Sequence, residues 1–427
     1  MEIEESLKLL NNWWFTGKVK KELAKDFKRY AYAEVNRLLR QYKEVIMLTG
    51  LRRVGKSTII YQLIEELIKE VNPLNVIYFS FDYTNVEIVN LLNSYQKLTE
   101  IKWKNDRIYL FLDEIQKLDN WASQIKLLYD AFPNIKFIVS GSASLQLERM
   151  AMNNLAGRHF SIDVPVLSLP EYYCLKEGKN VSNFALYSEE MSLEIDKYVK
   201  KPFPELVKID DELRIYEYIQ ETIVSKIIGL DLFHEFNKVD INLLNSLLKV
   251  FYSEPGMILN IDTISKTFGK RKQEITRHIY MLEYSKLIRI LKNYRPSILS
   301  ESRKMKKVYP YDISLALSSN PSIEKGKVLE SLIISRLDVI RYWRDGTREI
   351  DALLEKGKEL IPIEIKSSTQ MKDEFKKTLI YFISKFNPEY GILLYKGKRL
   401  EEGKIKSINV SEFLIYGIEG AMKLYSA

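Results

Sequence analysis

Residues 50–57 read Gly50-Leu51-Arg52-Arg53-Val54-Gly55-Lys56-Ser57, which satisfies G-x-x-x-x-G-K-[ST]. The surroundings decide how it is read. In front stands EVIMLTG (44–50), an apolar run closed by glycine, which predicts a buried strand. Behind it Ile59, Ile60, Leu63, Ile64, Leu67 and Ile68 fall on one side of a helix. Strand, glycine turn and helix start together make a phosphate cradle. The glycines let backbone N–H groups wrap the phosphates, Lys56 reaches the β/γ-phosphates, and the Ser57 hydroxyl ligates Mg²⁺. The candidate nucleotide-binding residues are Gly50, Arg53, Val54, Gly55, Lys56, Ser57 and Thr58. Nothing in the motif itself fixes what Arg52 and Arg53 do.

Working outward, NVIYFSFD (75–82) predicts a second strand and RIYLFLDEI (107–115) a third, ending in Asp113-Glu114. Four apolar residues before a double acid form the Walker B pattern, with Asp113 holding Mg²⁺ and Glu114 polarising the attacking water. A fourth strand, IKFIVSGSAS (135–144), ends in Ser140 and Ser142, placed to sense the γ-phosphate. ATP with Mg²⁺ is the expected ligand pair.

With Trp13-Trp14, GLRRVGKST, FLDEI, SGSAS and LAGRHFSIDVPVLSLPEYY in hand, the chain resembles the AAA+ ATPases. The resemblance is to the prokaryotic branch in which the ATPase is fused to an uncharacterised C-terminal domain, and it covers nearly the whole chain. It implies a homo-oligomer, a hexamer being one candidate, whose subunits share active sites. Arg158, after Gly157, stands where that family has a candidate arginine finger; a structural salt-bridge partner is the other reading. It also implies a helical lid, expected over 170–238, where Arg214 is a candidate sensor.

The length of 427 residues leaves room for several domains. A composition 46% hydrophobic supports packed cores and excludes a disordered chain. The single cysteine, Cys174, excludes an internal disulfide and, with three histidines, a zinc site of the usual spacing. The N-terminus lacks a signal-peptide pattern and no apolar run is long enough for a membrane span, so a cytoplasmic protein with no membrane partner is expected.

The net charge of +8 is uneven: Lys266–Lys307 holds thirteen Lys/Arg and three Glu, a local +10, leaving about −2 elsewhere. That is the footprint of a polyanion binder, or a solvated basic face. INLLNSLLKVFYS, LNIDTISKTFG and KRKQEITRHIYMLEYSKLI predict three helices, and RILKNYRP a strand and wing, the order of a winged helix-turn-helix. Lys270, Arg271, Lys272, Gln273, Thr276 and Arg277 open the third helix, where a recognition helix meets DNA; winged helices that bind proteins are the alternative.

Farther on, EKGKVLESLIISRLDVI predicts a helix carrying Glu330, and EIDALLEKGKELIPIEIKSS two strands turning at Lys356-Gly357. Ile350, Ala352 and Leu354 face one way and Asp351 the other; Glu364 and Lys366 share a face opposite Ile361, Ile363 and Ile365. Asp351 and Glu364 have twelve residues between them. The order resembles the restriction-endonuclease-like fold, D-x(n)-[DE]-x-K. That resemblance implies Asp351 and Glu364 as ligands of a divalent cation, Lys366 orienting the water, Glu330 completing the shell, and Ser367-Ser368 touching substrate. A plain Ile-Glu-Ile-Lys amphipathic strand is the competing reading, and a fold of this kind binds nucleic acid with or without cutting it.

The expected fold is thus α/β: a P-loop core with a parallel sheet and helical lid, then a winged helix and an α/β endonuclease-like domain. The expected segments are 1–168, with an N-terminal helical part, then 169–238, 239–305 and 306–427. The expected function is ATP hydrolysis coupled to action on DNA, with Mg-dependent cleavage as a candidate activity. The rival is a nucleotide-controlled oligomeric switch whose C-terminal domains bind a protein or DNA without cutting.

Overall fold

A computed structural model describes residues 2–141, 155–181, 183–297, 301, 305–357 and 359–424, with the backbone alone at 234 and 235. Ser142 therefore lies outside the described residues. The chain forms two compact units, Met1–Leu167 and Ser168–Ala427.

In the first unit β1 (Val45–Thr49), β2 (Val76–Ser80), β3 (Ile108–Asp113), β4 (Ile135–Ser140) and β5 (His159–Asp163) form one sheet in the order β2-β3-β4-β1-β5. All four pairings are parallel. Strands β1, β2 and β4 are buried at every residue, as continuous apolar runs covered on both faces require. β2 is an edge strand, and the N-terminal segment closes it. The Asn11 side chain donates to Tyr78 O at 2.9 Å and accepts from Tyr78 N at 2.7 Å, pairing as a neighbouring strand would. The indoles of Trp13 and Trp14 both donate to Val76 O. The Trp13-Trp14 pair is thus a clamp on the sheet edge.

Among the described residues the second unit has nine strands in the order β13-β14-β12-β11-β10-β9-β7-β8-β6. They are β6 (Met257–Leu259), β7 (Ile288–Asn293), β8 (Lys306–Pro310), β9 (Arg341–Asp345), β10 (Arg348–Lys356), β11 (Glu359–Lys366), β12 (Gly391–Tyr395), β13 (Leu400–Glu402) and β14 (Ile405–Asn409). The β7–β9, β11–β12 and β12–β14 pairings are parallel and the others antiparallel. The helices Ile241–Ser253, Ile261–Phe268 and Lys272–Tyr284 precede β7, and Gly269 ends the second in a left-handed conformation at φ 62°. Trp343, Ile350, Leu353, Leu379, Phe382 and Leu393 make the core under the helix Glu374–Phe386. Upstream, the helix Glu212–Ile219 runs on through wider turns at Gln220–Val224 and Ile227–Asp231. These extra-residue turns explain the broken periodicity of that stretch.

The β10–β11 hairpin turns where the sequence predicts, with Lys356 opposite Glu359 and Gly357 at φ 63°. The simple alternation along β10 does not hold. Its register against β9 shifts between Ile350 and Leu353, and Ile350, Asp351, Ala352 and Leu353 are all buried. A bulge inserts a residue and re-aims its side chain, so Asp351 enters the interior instead of standing on an open face.

Candidate functional site

The phosphate cradle leaves the C-terminal end of β1. Gly50 sits at φ 141°, and a Cβ there would lie 2.4 Å from Val164 O, so backbone geometry and space both require glycine. Gly55 at φ 101° caps the helix Lys56–Leu67. The Lys56 ammonium is buried and donates back to Gly50 O at 2.9 Å and Leu51 O at 2.8 Å. Arg53 is exposed, Thr58 half-buried and Val54 fully buried. Arg29, buried upstream of the cradle, donates to Val54 O, to Pro165 O at 2.8 Å and to Val166 O. It ties the loop to the segment that follows β5.

Asp113, at the end of β3, is the hub. Ser57 Oγ donates to its Oδ2 at 2.6 Å and Tyr78 Oη to the same oxygen at 2.9 Å, while Ser140 Oγ bonds Oδ1. β4 lies between β1 and β3, which is why Ser140 reaches the carboxylate that Ser57 also touches. Burial, then the charge of Asp113, holds the Tyr78 hydroxyl far above its ordinary pKa, so it stays a donor. Glu114 adopts a left-handed backbone at φ 52°, and Gln116 Nε2 bonds its Oε2 at 2.5 Å. Burial and the neighbouring Asp113 raise the Glu114 pKa; Lys56 and Arg52 oppose them. Tyr78, Arg29 and Gln116 escaped the sequence reading. For Tyr78 a signal existed, a phenol hydroxyl at the middle of a buried strand.

Arg158 pairs with Asp130 at 2.8 Å. Its carbonyl accepts from Val45 N, so it stands at the N-terminal end of β1, opposite the end that carries the cradle.

In the second unit Glu330, Asp351, Glu364 and Lys366 come together. Asp351 Oδ2 accepts from Ile365 N at 2.8 Å and Lys366 Nζ reaches Glu364 Oε1 at 2.5 Å. Glu364 is only 6% exposed, and its buried Oε2 has no hydrogen-bond partner among the described residues. Burial raises the Asp351 pKa well above the carboxylate range, reinforced by Glu364 and Glu330. Burial also raises Glu364, against the pull of Lys366. Burial works against the charge on Lys366, but Asp351 and Glu364 outweigh it and raise its pKa. Ser368 Oγ is turned to Gln370 O.

Three residues the sequence reading missed complete this cluster. Lys307 Nζ lies 2.5 Å from Glu349 Oε1 and 3.6 Å from Glu330 Oε1, and Tyr309 Oη donates to Glu330 Oε1. Burial lowers the Lys307 pKa, but Glu330, Asp351 and Glu349 reverse that, so it remains a cation. The signal was the alternation of KKVYP, which puts Lys307 and Tyr309 on one face of a buried strand. Among the described residues no group of three or more His, Cys, Asp or Glu is arranged to hold a metal. With Lys307 and Lys366 seated on its carboxylates, the cluster as arranged does not fit a resident divalent cation.

On the third helix Arg271, Lys272, Gln273, Thr276 and Arg277 are exposed. Lys270 is turned to Asp240 at 2.9 Å and Glu274 at 3.2 Å, and Lys272 to Asp262 at 2.6 Å. Gln273 and Arg277 line a cavity of about 490 Å³ with Asp240 and His278.

Comparison with known proteins bears on these sites. Residues 42–173 match the family model of an AAA domain. Residues 202–321 and 325–413 match models of two domains of unknown function. An uncharacterized protein of Methanocaldococcus jannaschii is 26% identical over 340 residues, covering 72% of this chain and 71% of its own. One of Haemophilus influenzae is 24% identical over 389 residues, 87% of this chain and 94% of its own. Among solved structures, a Walker-type ATPase of Pyrococcus abyssi aligns with 70% of this chain and 97% of its own, at 14% identity and TM-score 0.44. The cradle, the Asp113 hub and the parallel sheet define an AAA-type P-loop domain, a fold that supports ATP binding and hydrolysis. No helix among the described residues is long and apolar enough to cross a membrane.

Proposed function

We propose that this chain is an ATP-hydrolysing AAA protein of the cytoplasm that acts on DNA as a homo-oligomer. The observation that carries it is the convergence of Ser57, Tyr78 and Ser140 on Asp113 beside the cradle. Ser57 and Asp113 offer hard oxygen donors within 2.6 Å of each other, a set that suits Mg²⁺. Bound there, Mg²⁺ supplies charge neutralisation at the phosphates. Lys56 leaves the Gly50 and Leu51 carbonyls to meet the nucleotide phosphates. Glu114 accepts the proton of the attacking water, Gln116 holds its carboxylate, and Ser140 reports the γ-phosphate to Asp113. Arg158, at the far end of β1 from its own cradle, acts on a neighbour's nucleotide in an oligomer.

Support for DNA comes from the basic stretch and from the exposed Arg271, Gln273, Thr276 and Arg277 at the start of the third helix. Two of the formal cations there, Lys270 and Lys272, are held by acids, which leaves Arg271 and Arg277 as the proposed phosphate contacts. Replacing either arginine by alanine is expected to weaken binding evenly across sequences. Each change should reduce the slope of log affinity against log salt by about 0.9. A salt titration by fluorescence anisotropy reads this; an unchanged slope in both variants removes the helix from the interface.

The C-terminal cluster is proposed to face the same DNA, and strand cleavage there is the finer part of the reading. The rival, an ATP-controlled switch that grips without cutting, draws support from the lysines seated on Glu364, Glu349 and Glu330. The deciding experiment measures ATP turnover at low salt with and without plasmid, linear and branched DNA, and scores the same DNA for cuts. DNA-stimulated turnover is expected. Turnover indifferent to every DNA, with no binding, overturns the proposal.

A further inference from the structure

Three elements of the second unit carry cations to one corner. Arg295 follows β7, Arg344 and Arg348 stand on either side of the turn between β9 and β10, and Lys385 lies in the last turn of the helix Glu374–Phe386. Each is held in place. Arg295 Nη2 donates to Arg344 O at 2.6 Å. The Arg348 guanidinium lies over the ring of Tyr381, 4.1 Å from its centroid. Lys385 Nζ pairs with Asp345 Oδ2 at 2.8 Å and sits 5.7 Å from the centre of the same ring. Arg344 reaches Glu349 only at 3.7 Å, and Glu349 is already engaged by Lys307 at 2.5 Å. Asp345 thus stands alone among Lys385, Arg295 and Arg348. The hydrogen bond from Lys385, then the charges of all three, hold its carboxyl below the usual range. The corner is open to solvent: Arg348 is exposed, and the side chains of Lys385 and Asp345 are 39% and 41% exposed. A surplus of positive charge therefore faces outward beside the carboxylate cluster.

We propose that the corner formed by Arg295, Arg344, Arg348 and Lys385 grips the phosphodiester backbone of nucleic acid. This rests on the reading that the chain acts on DNA, and it names a surface of the second unit, apart from the third helix, that holds it. Three of the four cations are arginines, whose planar forks match phosphate oxygens two at a time. A guanidinium laid on a ring keeps its N–H rim for a partner. Pinned by a ring and a carbonyl, Arg348 and Arg295 have given up much of their rotamer freedom before any partner arrives, which lowers the cost of binding. Arg295 also belongs to the basic stretch, where it meets a carbonyl while Lys270, Lys272 and Lys307 meet acids. Contacts of this kind hold a backbone without reading bases. Fixed cations neutralise phosphates by themselves, so the grip needs no metal ion.

The test is fluorescence anisotropy of a labelled duplex of random sequence, with the full-length, nucleotide-free chain in EDTA across a range of salt. Arg348→Gln and Lys385→Gln should each weaken binding and make the slope of log affinity against log salt shallower by about 0.9. Asp345→Asn should act in the opposite direction. It removes the one acid from among the cations, so binding at low salt should tighten by about twofold to fivefold, the effect of one unit charge at short range in water. The gain in Asp345→Asn decides even where Arg348→Gln does not fold. Folded Arg348→Gln and Lys385→Gln that keep the affinity and slope of a DNA-binding parent overturn the proposal and leave the DNA reading on the third helix. Equal loss in all three variants means damage to packing and also overturns it. So does a set of variants that shifts binding of labelled polyglutamate and not of duplex, which assigns the corner to an acidic protein. A parent that binds no DNA at low salt removes the DNA reading and this grip with it.

Discussion

Glu114→Gln should give a protein that still holds ATP but turns it over about a hundredfold to ten-thousandfold more slowly, the range for loss of a general base. The amide keeps the shape of the side chain but accepts no proton. Binding should survive because the cradle glycines, Lys56, Ser57 and Asp113 are untouched. Lys56→Ala is the contrast: it removes the charge that balances the phosphates, so binding itself should fall. Filter binding of labelled ATP and single-turnover hydrolysis separate the two. Burial and Asp113 raise the pKa of Glu114, so the basic form is lost at a higher pH than for an ordinary carboxylate. Wild-type single-turnover rates should therefore decline on acidification before the usual carboxylate range is reached, and this limb should be missing from the residual rate of Glu114→Gln. A Glu114→Gln protein within a few-fold of wild type would place the base elsewhere.

What the sequence revealed of this site and what it hid divide along a physical line. The cradle, Asp113, Glu114 and Ser140 are legible because local spacing sets them: each closes a strand, and all the strands run the same way. Tyr78 meets Asp113 only because β2 lies beside β3, and Arg29 meets Val54 only after the chain has folded back. The second unit shows the same limit twice. The β10 alternation is interrupted by a bulge that depends on β9, and Lys307 enters from across two strands. Charge counting fails for a related reason. Lys270, Lys272, Arg289 and Lys307 all belong to the basic stretch, yet each is held by an acid, Arg289 by Asp338 at 2.6 Å. A net charge of +10 over a segment does not say which cations remain available to a partner.

Asp312→Ala carries the other large effect, and it falls on stability. Asp312 is 1% exposed and its Oδ2 accepts from Arg336 Nη1 at 2.8 Å; the same guanidinium donates from Nε to Tyr198 Oη at 2.6 Å. Arg336 lies on the helix Lys325–Leu337, which also bears Glu330, and Tyr198 comes from the helical stretch well before it. The arginine therefore ties three parts of the second unit together. Truncating the acid strands a guanidinium with a buried hydrogen-bonding fork, and such a loss costs about 3–5 kcal/mol. Asp312 has a second role, since its Oδ1 caps the helix Ile313–Leu317 through Ser314 N at 2.9 Å, worth about 1 kcal/mol. Asp312→Asn keeps an accepting oxygen and removes the charge, so it should lose less than alanine, and the difference between the two reports the cap and the remaining hydrogen bond. Arg336→Met added to Asp312→Ala replaces the stranded cation by an apolar chain of similar length, and part of the stability should return. Urea melts followed by tryptophan fluorescence read all four proteins. Recovery in the double variant means the alanine variant suffers mainly from an uncompensated charge; further loss there instead means the hydrogen bond from Arg336 to Tyr198 holds the helix of Glu330 in place by itself.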